Sequence, residues 1–335
     1  MTNDIRRNHK QESGGLDSQA TPYVMVSKHD MPCHDHGSCA LVSVIIPTRN
    51  RSTLLERAIL SVINQDYSPI EILVIDDNSD DPQKNISAIK QIDPSLKSVK
   101  YFSNTQSMGG AWSRNFGVDQ SSGAYIAFLD DDDEYQPNKI SSLVGYLNSP
   151  QGSTADGAFG KIRIISGIES FYPVRYPKRF IRTLNLLVLN TVHTNASLIK
   201  RSTFLKTRFL ASLPRFQDLQ YYVEFSMYHE MHFVDIDAAK WYVDANRPQI
   251  TSDTQESRLR TYHAFSHMLD YFEDNLQLPK AFLANYYVAW IRYAIRAKQH
   301  LSILNAKGLA RSSIAVLLGL PSMAVKKYVL TKNRT

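Results

Sequence analysis

The chain has 335 residues, is 43% hydrophobic and 21% charged, and carries a formal net charge of +6. That is the composition of a globular protein with room for one sizeable α/β domain and a smaller appendage. Its two cysteines exclude a disulfide framework, and no stretch reaches the roughly 18 apolar residues that a membrane-spanning helix needs.

Residues 1–40 are polar and lack periodicity, so a disordered or loosely attached arm is expected there. The opening string MTNDIRRNHKQESGG has no apolar core of a signal peptide, which points to a soluble or peripheral protein of a reducing compartment. Cys33, His34, His36 and Cys39 put potential metal ligands close together. Their spacing fits no common zinc module, and the segment has no core to orient them.

Order begins at Leu41. VSVIIP is a continuous β-branched run, the mark of a strand buried on both faces. In the following TRNRSTLLERAILSVINQ, Leu54, Leu55, Ala58, Ile59, Val62 and Ile63 recur at helical spacing. IEILVIDD is a second buried strand; it ends in the polar turn DDNSDDP, whose proline suits a helix start. VKYFSN reads as a strand, GGAWSRNFGVDQSSG as a turn and helix, and AYIAFLDDDDEY as a strand running into carboxylates. Strand and helix alternating in this way predict an α/β fold whose mostly parallel sheet is covered on both faces. Ligands of such sheets bind beyond the carboxyl ends of the strands. TRNR, DDNSDD and DDDDE all fall at those ends.

From 151 to about 250 the order resembles α+β: GAFGKIRII, ASLIK and HFVDI as strands, FQDLQYYVEFSMYHEM as a helix. Beyond it the chain turns helical. The expected division is an arm at 1–40, a catalytic domain at 41–252, and a basic helical region at 253–335.

Asp130, Asp131, Asp132 and Asp133 repel one another directly after a buried strand. A hard divalent cation relieves that repulsion, and Mg²⁺ or Mn²⁺ needs only one or two protein carboxylates when a diphosphate supplies the other oxygens; a solvated acidic turn is the competing reading. No GxxxxGK[ST] and no GxGxxG follows the first strand, so neither a P-loop nor a dinucleotide fingerprint is present. Pro47, Thr48 and Arg49 offer a cation and hydrogen-bonding groups where the first strand ends. Asp76 and Asp77 end the second, where a carboxylate can accept from a base or ribose. Arg114 is placed to reach phosphate or to form a surface salt bridge.

VSVIIPTRNR, ILVIDDNSDD, GGAWSRNFG and SGAYIAFLDDDDEYQP, in this order and spacing, resemble glycosyltransferase family 2, with its GT-A fold. The resemblance covers residues 41 to about 250. It implies an inverting transfer of sugar from a nucleotide-sugar donor, usually a UDP-sugar, to an acceptor hydroxyl. It implies that Pro47, Thr48 and Arg49 line the base and ribose pocket, that Asp77 bonds the base, and that Arg114 lies near the donor. The DxD motif falls on Asp130 to Asp132, with Asp132 as ligand of Mn²⁺ or Mg²⁺ and Asp130 or Asp131 touching ribose, metal or sugar. The catalytic base falls in RFQDLQYYVEF on Asp218, or less readily on Glu224; Gln217 stands where many members have Glu, and a helix N-cap is the bland role for Asp218. Where members often carry a His before the domain's end, this chain has Arg247, followed by Gln249 and Thr251. His193 is either an acceptor-site residue or an interior histidine.

After Asp274 no acidic residue occurs, while ten Lys and Arg do. With Phe282, Tyr286, Tyr287, Trp290 and Tyr293 nearby, this suits a helix lying on anionic lipid, or an amphipathic helix packed on the catalytic domain. No nucleic-acid recognition motif accompanies the charge. The expected protein is peripheral at the inner face of a bacterial cell membrane, extending a polyprenyl-diphosphate-linked glycan in O-antigen or capsule assembly. A nucleotidyltransferase and a non-catalytic sugar-nucleotide-binding protein are the alternatives.

Overall fold

The structure, a computed structural model, describes residues 21–25, 39–92, 99–166, 168–171, 180–181, 192–243, 254–276, 278, 280–299 and 310–311. Its strands are β1 (Thr21–Met25), β2 (Val42–Thr48), β3 (Ile70–Asp76), β4 (Val99–Ser103), β5 (Tyr125–Phe128), β6 (Glu134–Tyr135), β7 (Gly157–Ser166), β8 (Ile168–Phe171), β9 (Phe180–Ile181), β10 (Ser197–Lys200) and β11 (Met231–Tyr242). Its helices are α1 (Ser52–Ile63), α2 (Pro82–Gln91), α3 (Gly110–Asp119), α4 (Lys139–Asn148), α5 (Arg201–Phe204), α6 (Gln217–Tyr228), α7 (Gln255–Asn275) and α8 (Lys280–Arg296), with a 3₁₀ turn at Thr194–Ala196.

All the strands share one sheet, ordered β1-β4-β3-β2-β5-β10-β7-β11-β6, with β8 on β7 and β9 on β11. Strands β4, β3, β2 and β5 run parallel, as alternating strands and helices predict. Past β5 the ladder turns antiparallel at β10, and only β7 and β11 pair in parallel again. The sheet is therefore mixed rather than mostly parallel. The break comes at β10, which runs opposite to both of its neighbours, β5 and β7. Inside the segment expected to be a loose arm, Thr21–Met25 forms the edge strand antiparallel to β4.

The period of two in β2 divides its side chains between two cores. Val42, Val44 and Ile46 pack under α1, α2 and α4; Ile45 packs with α3, α6, α7 and α8. Gly117 permits the close approach of α3, because a Cβ there would lie 2.5 Å from Ile45 Cγ2. The C-terminal helices share this second core: Phe265, Met268, Phe272, Tyr286 and Trp290 belong to the same buried cluster as Tyr221 and Phe225.

Of the two roles expected for α8, the packing is that of an amphipathic helix laid on the catalytic domain. Tyr286, Tyr287 and Trp290 are buried, Tyr293 packs on the same core, and Trp290 Nε1 donates to Ser266 Oγ of α7 at 2.8 Å. An aromatic face already occupied by α7 is not available to a bilayer. Arg292, Arg296 and Lys298 do remain exposed. The side chain of Phe282 lies outside the described residues.

Candidate active site

Adjacent strands deliver the site from their carboxyl ends. The ladder carries on past them, Asp77 N donating to Thr48 O (2.9 Å), Asn104 N to Asp76 O (2.9 Å) and Leu129 N to Ile45 O (3.1 Å). Pro47, Thr48, Asp77 and Asp130 therefore stand along one edge, with Arg49 exposed beside them.

The Asp76–Asp77 pair divides its labour. Asp76 is fully buried and accepts from Ser79 N (2.8 Å), Asn85 Nδ2 (2.8 Å) and the Tyr101 hydroxyl, which fastens the turn after β3. Asp77 takes Asn104 Nδ2 (3.1 Å) and Met108 N (2.7 Å) on one oxygen, and Ser107 Oγ (2.7 Å) and Gly109 N (2.9 Å) on the other. Burial would raise its pKa, but these donors hold it below the usual carboxylate range. Four bonds fill a carboxylate's acceptor sites, so contact with a base requires exchange of one of them. Ser107 is the natural one to yield, since its hydroxyl also accepts from Arg49 Nη1 at 3.0 Å. Gly109 closes this loop at φ +87, a conformation that favours glycine.

The acidic run does not form one cluster; its members point to different partners. Asp130 receives Arg114 Nη2 at 2.5 Å. Burial would raise its pKa, but Arg114 holds it below the ordinary range. Asp131 is nearly buried, accepts from Thr48 Oγ1 at 2.7 Å and pairs with Arg51 Nη1 at 3.1 Å. Burial nevertheless lifts it to about 6, and neighbouring Asp132 adds to the rise. Asp132 pairs with the same Arg51 nitrogen at 3.0 Å, and its side chain is 30% exposed. Asp133 turns into the core, accepting from Tyr242 N (3.0 Å) and Asn195 Nδ2. Burial, with Asp130 and Asp132 nearby, drives its pKa well above the carboxylate range. Asn195 also accepts from Asp130 N at 3.0 Å, so one buried amide holds both ends of the run.

Arg114 joins this corner to helix α6. Its Nη1 donates to Gln217 Oε1 at 3.1 Å. Burial would weaken its charge, but Asp130 and then Asp218 hold its pKa above the usual value. Asp218 is in the first turn of α6, one residue past Gln217; the N-cap itself is Phe216, so Asp218 is not the helix cap. Among the described residues the half-buried Asp218 carboxylate makes no hydrogen bond or ion pair. Glu224, by contrast, accepts from Tyr271 Oη (2.9 Å) and Gln220 Nε2 (2.8 Å) on one oxygen and ties α6 to α7. His193 Nδ1 accepts from Asn195 N at 3.3 Å, and its ring is 5.6 Å from that of Trp241. Burial lowers its pKa against the pull of Asp218 and Asp130.

The approach to α6 is set by the C-terminal helices. Phe216 has φ 64, an uncommon conformation for a bulky residue that costs about 1–3 kcal/mol unless its surroundings impose it. Phe265 of α7 meets its ring edge-on at 5.1 Å, and Tyr293 of α8 lies 5.9 Å away. Arg215, one residue earlier, donates to Ser257 Oγ of α7 at 3.1 Å.

Among the described residues no group of three or more His, Cys, Asp or Glu is arranged to hold a metal ion. A divalent ion shared with a diphosphate needs only one or two protein carboxylates. The donor set fits that case: Asp131 and Asp132 turn oxygens toward a single cationic nitrogen, that of Arg51. Sequence reasoning passed over Arg51, although it lies in the TRNR string, and over Asn195, which no pattern singles out. Of the CHDHGSC string, only Cys39 is among the described residues. Cys33, His34, His36, Arg247, Gln249 and Thr251 lie outside the described residues.

Comparison with known proteins gives a consistent picture. The family model described as Glycosyl transferase family 2 matches residues 43–204. The GalNAc(5)-diNAcBac-PP-undecaprenol beta-1,3-glucosyltransferase of Campylobacter jejuni is 43% identical over 108 residues, 32% of this chain and 34% of that one. The chain thus matches about a third of that relative's length. The fold resembles that of S. aureus TarS 1-349, solved with UDP-GlcNAc (TM-score 0.58, 16% identity, 83% of this chain and 79% of that one). It also resembles mannosyltransferase PcManGT from Pyrobaculum calidifontis, solved with GDP-Man and Mn²⁺ (TM-score 0.52, 17% identity, 87% and 84%).

Proposed function

Residues 43–204 belong to glycosyl transferase family 2, and from that premise we propose an inverting, metal-dependent transferase that moves a sugar from a UDP-sugar to a lipid-linked glycan. The observation that carries it is Asp218. Among the described residues it is a carboxylate with no hydrogen-bond partner, at the start of α6 and electrostatically coupled through Arg114 to the acidic corner.

The acceptor hydroxyl oxygen attacks the anomeric carbon while Asp218 takes its proton. The bond from that carbon to the diphosphate oxygen breaks, and its electron pair leaves with the nucleoside diphosphate. Attack opposite the leaving group inverts the anomeric centre. A positioned base contributes about 10² to 10⁴ in rate. Asp132 would hold the Mn²⁺ or Mg²⁺, which when bound supplies positive charge to the departing diphosphate. Pro47, Thr48 and Arg49 line the nucleotide side, and Asp77 reaches the base by exchanging Ser107. Asp131 orders the strand end through Thr48, and Asp130 keeps Arg114 charged and facing the donor.

The lipid-linked acceptor is supported by the undecaprenol in the Campylobacter relative's name. Assembly of a bacterial surface polysaccharide, at the inner face of the membrane, agrees with it. Among the described residues no helix is long and apolar enough to cross a membrane, and the exposed cations in and just after α8, Arg292, Arg296 and Lys298, with the basic sequence that follows, supply peripheral attachment.

Asp218→Asn is the test. Transfer falls by at least about 10², while donor affinity measured by calorimetry stays within twofold. Retention of most of the turnover removes Asp218 as the base. Release of nucleoside diphosphate rather than inorganic diphosphate separates the reaction from nucleotidyl transfer.

A further inference from the structure

We propose that Arg51 is a cation placeholder in the acidic corner: it remains the counterion of Asp131 throughout and yields only Asp132 to an arriving divalent ion. This rests on the reading of Asp132 as a metal ligand.

One nitrogen, Arg51 Nη1, lies 3.1 Å from Asp131 Oδ1 and 3.0 Å from Asp132 Oδ2. It occupies the position between two carboxylates that a cation would take. The Arg51 backbone is pinned, because its carbonyl accepts from Leu54 N at 3.0 Å and Leu55 N at 2.9 Å at the start of α1. The side chain, 37% exposed, has room to move.

The two carboxylates are not equivalent. Asp131 is 4% exposed and is also bonded by Thr48. Stripping the counterion from a buried charge is costly, whereas a part-exposed pair is worth little. Exchange therefore takes place at Asp132. Arg57 Nη2 holds the Asp132 backbone oxygen at 2.5 Å, so the main chain stays in place while the side chain changes partner. The guanidinium competes with free metal for Asp132 and repels it. An ion without a diphosphate binds weakly, and the ion enters most readily together with the donor, whose negative charge offsets Arg51.

The experiment is a Mn²⁺ titration of the full chain by calorimetry, without nucleotide. It compares the parent with Arg51→Met, Arg51→Gln and Asp132→Asn. Removing the competing pair tightens Mn²⁺ binding about two- to fivefold in both Arg51 variants, the worth of a part-exposed ion pair. Equal or weaker binding in the folded Arg51 variants overturns the placeholder role. Asp132→Asn loses the ion; if it binds Mn²⁺ as the parent does, the reading of Asp132 as ligand fails, whatever Arg51 does.

Discussion

Asp131 shows what a binding site costs at the scale of one residue. Its carboxyl is raised to about 6 by burial, with Asp132 beside it. A carboxyl whose folded pKa lies above its unfolded value binds more protons when folded, so below that value it favours folding and above it opposes folding. Between about pH 4 and 6 this residue makes stability fall as pH rises. Asp131→Asn therefore raises the melting temperature of the metal-free protein at pH 7.5, by about 1–3 kcal/mol of stability for a rise of roughly two pKa units. The gain shrinks at pH 5, where the parent carboxyl is already protonated. Thermal melts at both pH values check this, and a variant no more stable than the parent at pH 7.5 contradicts it.

Helices α6, α7 and α8 act together as one device. Phe216 holds φ 64 under the rings of Phe265 and Tyr293, and Asp218 follows two residues later. The helical extension is thus packed on the turn that leads into Asp218. Phe265→Ala removes a buried ring that meets Phe216, Tyr286 and Tyr293, which costs about 3–5 kcal/mol. If α7 also positions α6, turnover drops further than the donor KM changes, when both are measured below the lowered melting temperature. Unchanged turnover in the folded variant would confine α7 to a packing role.

The whole molecule places its charge more sparingly than the sequence suggests. Arg311, one of the tail's cations, is 5% exposed and clamped by Asp270 (2.8 Å) and Glu273 (2.9 Å) over the Trp290 ring. Since the described aromatics of α8 are in the core, the membrane attachment proposed above would draw on the charge of α8 rather than on its rings. Deleting residues 276–335 would expose that core, so charge substitution is the cleaner test. Changing Lys326, Lys327, Lys332 and Arg334 to Gln weakens binding to phosphatidylserine vesicles by about 1 kcal/mol per charge, and 0.5 M salt does the same to the parent. Flotation that is indifferent to both would remove the membrane role.

Much of this protein was legible in its sequence because it depends on local repetition. A β-branched run, a 3.6-residue period and a carboxylate at a strand end declare themselves within ten residues. The parallel half of the sheet and the edge carrying Thr48, Asp77 and Asp130 followed from them. Tertiary structure alone decided how four adjacent aspartates divide among Arg114, Arg51 and Asn195, that Glu224 accepts from Tyr271, and that α8 turns its aromatics inward. Each of those depends on a partner at least 16 residues away. A charge or ring takes its role from what the fold sets against it, and no local pattern records that.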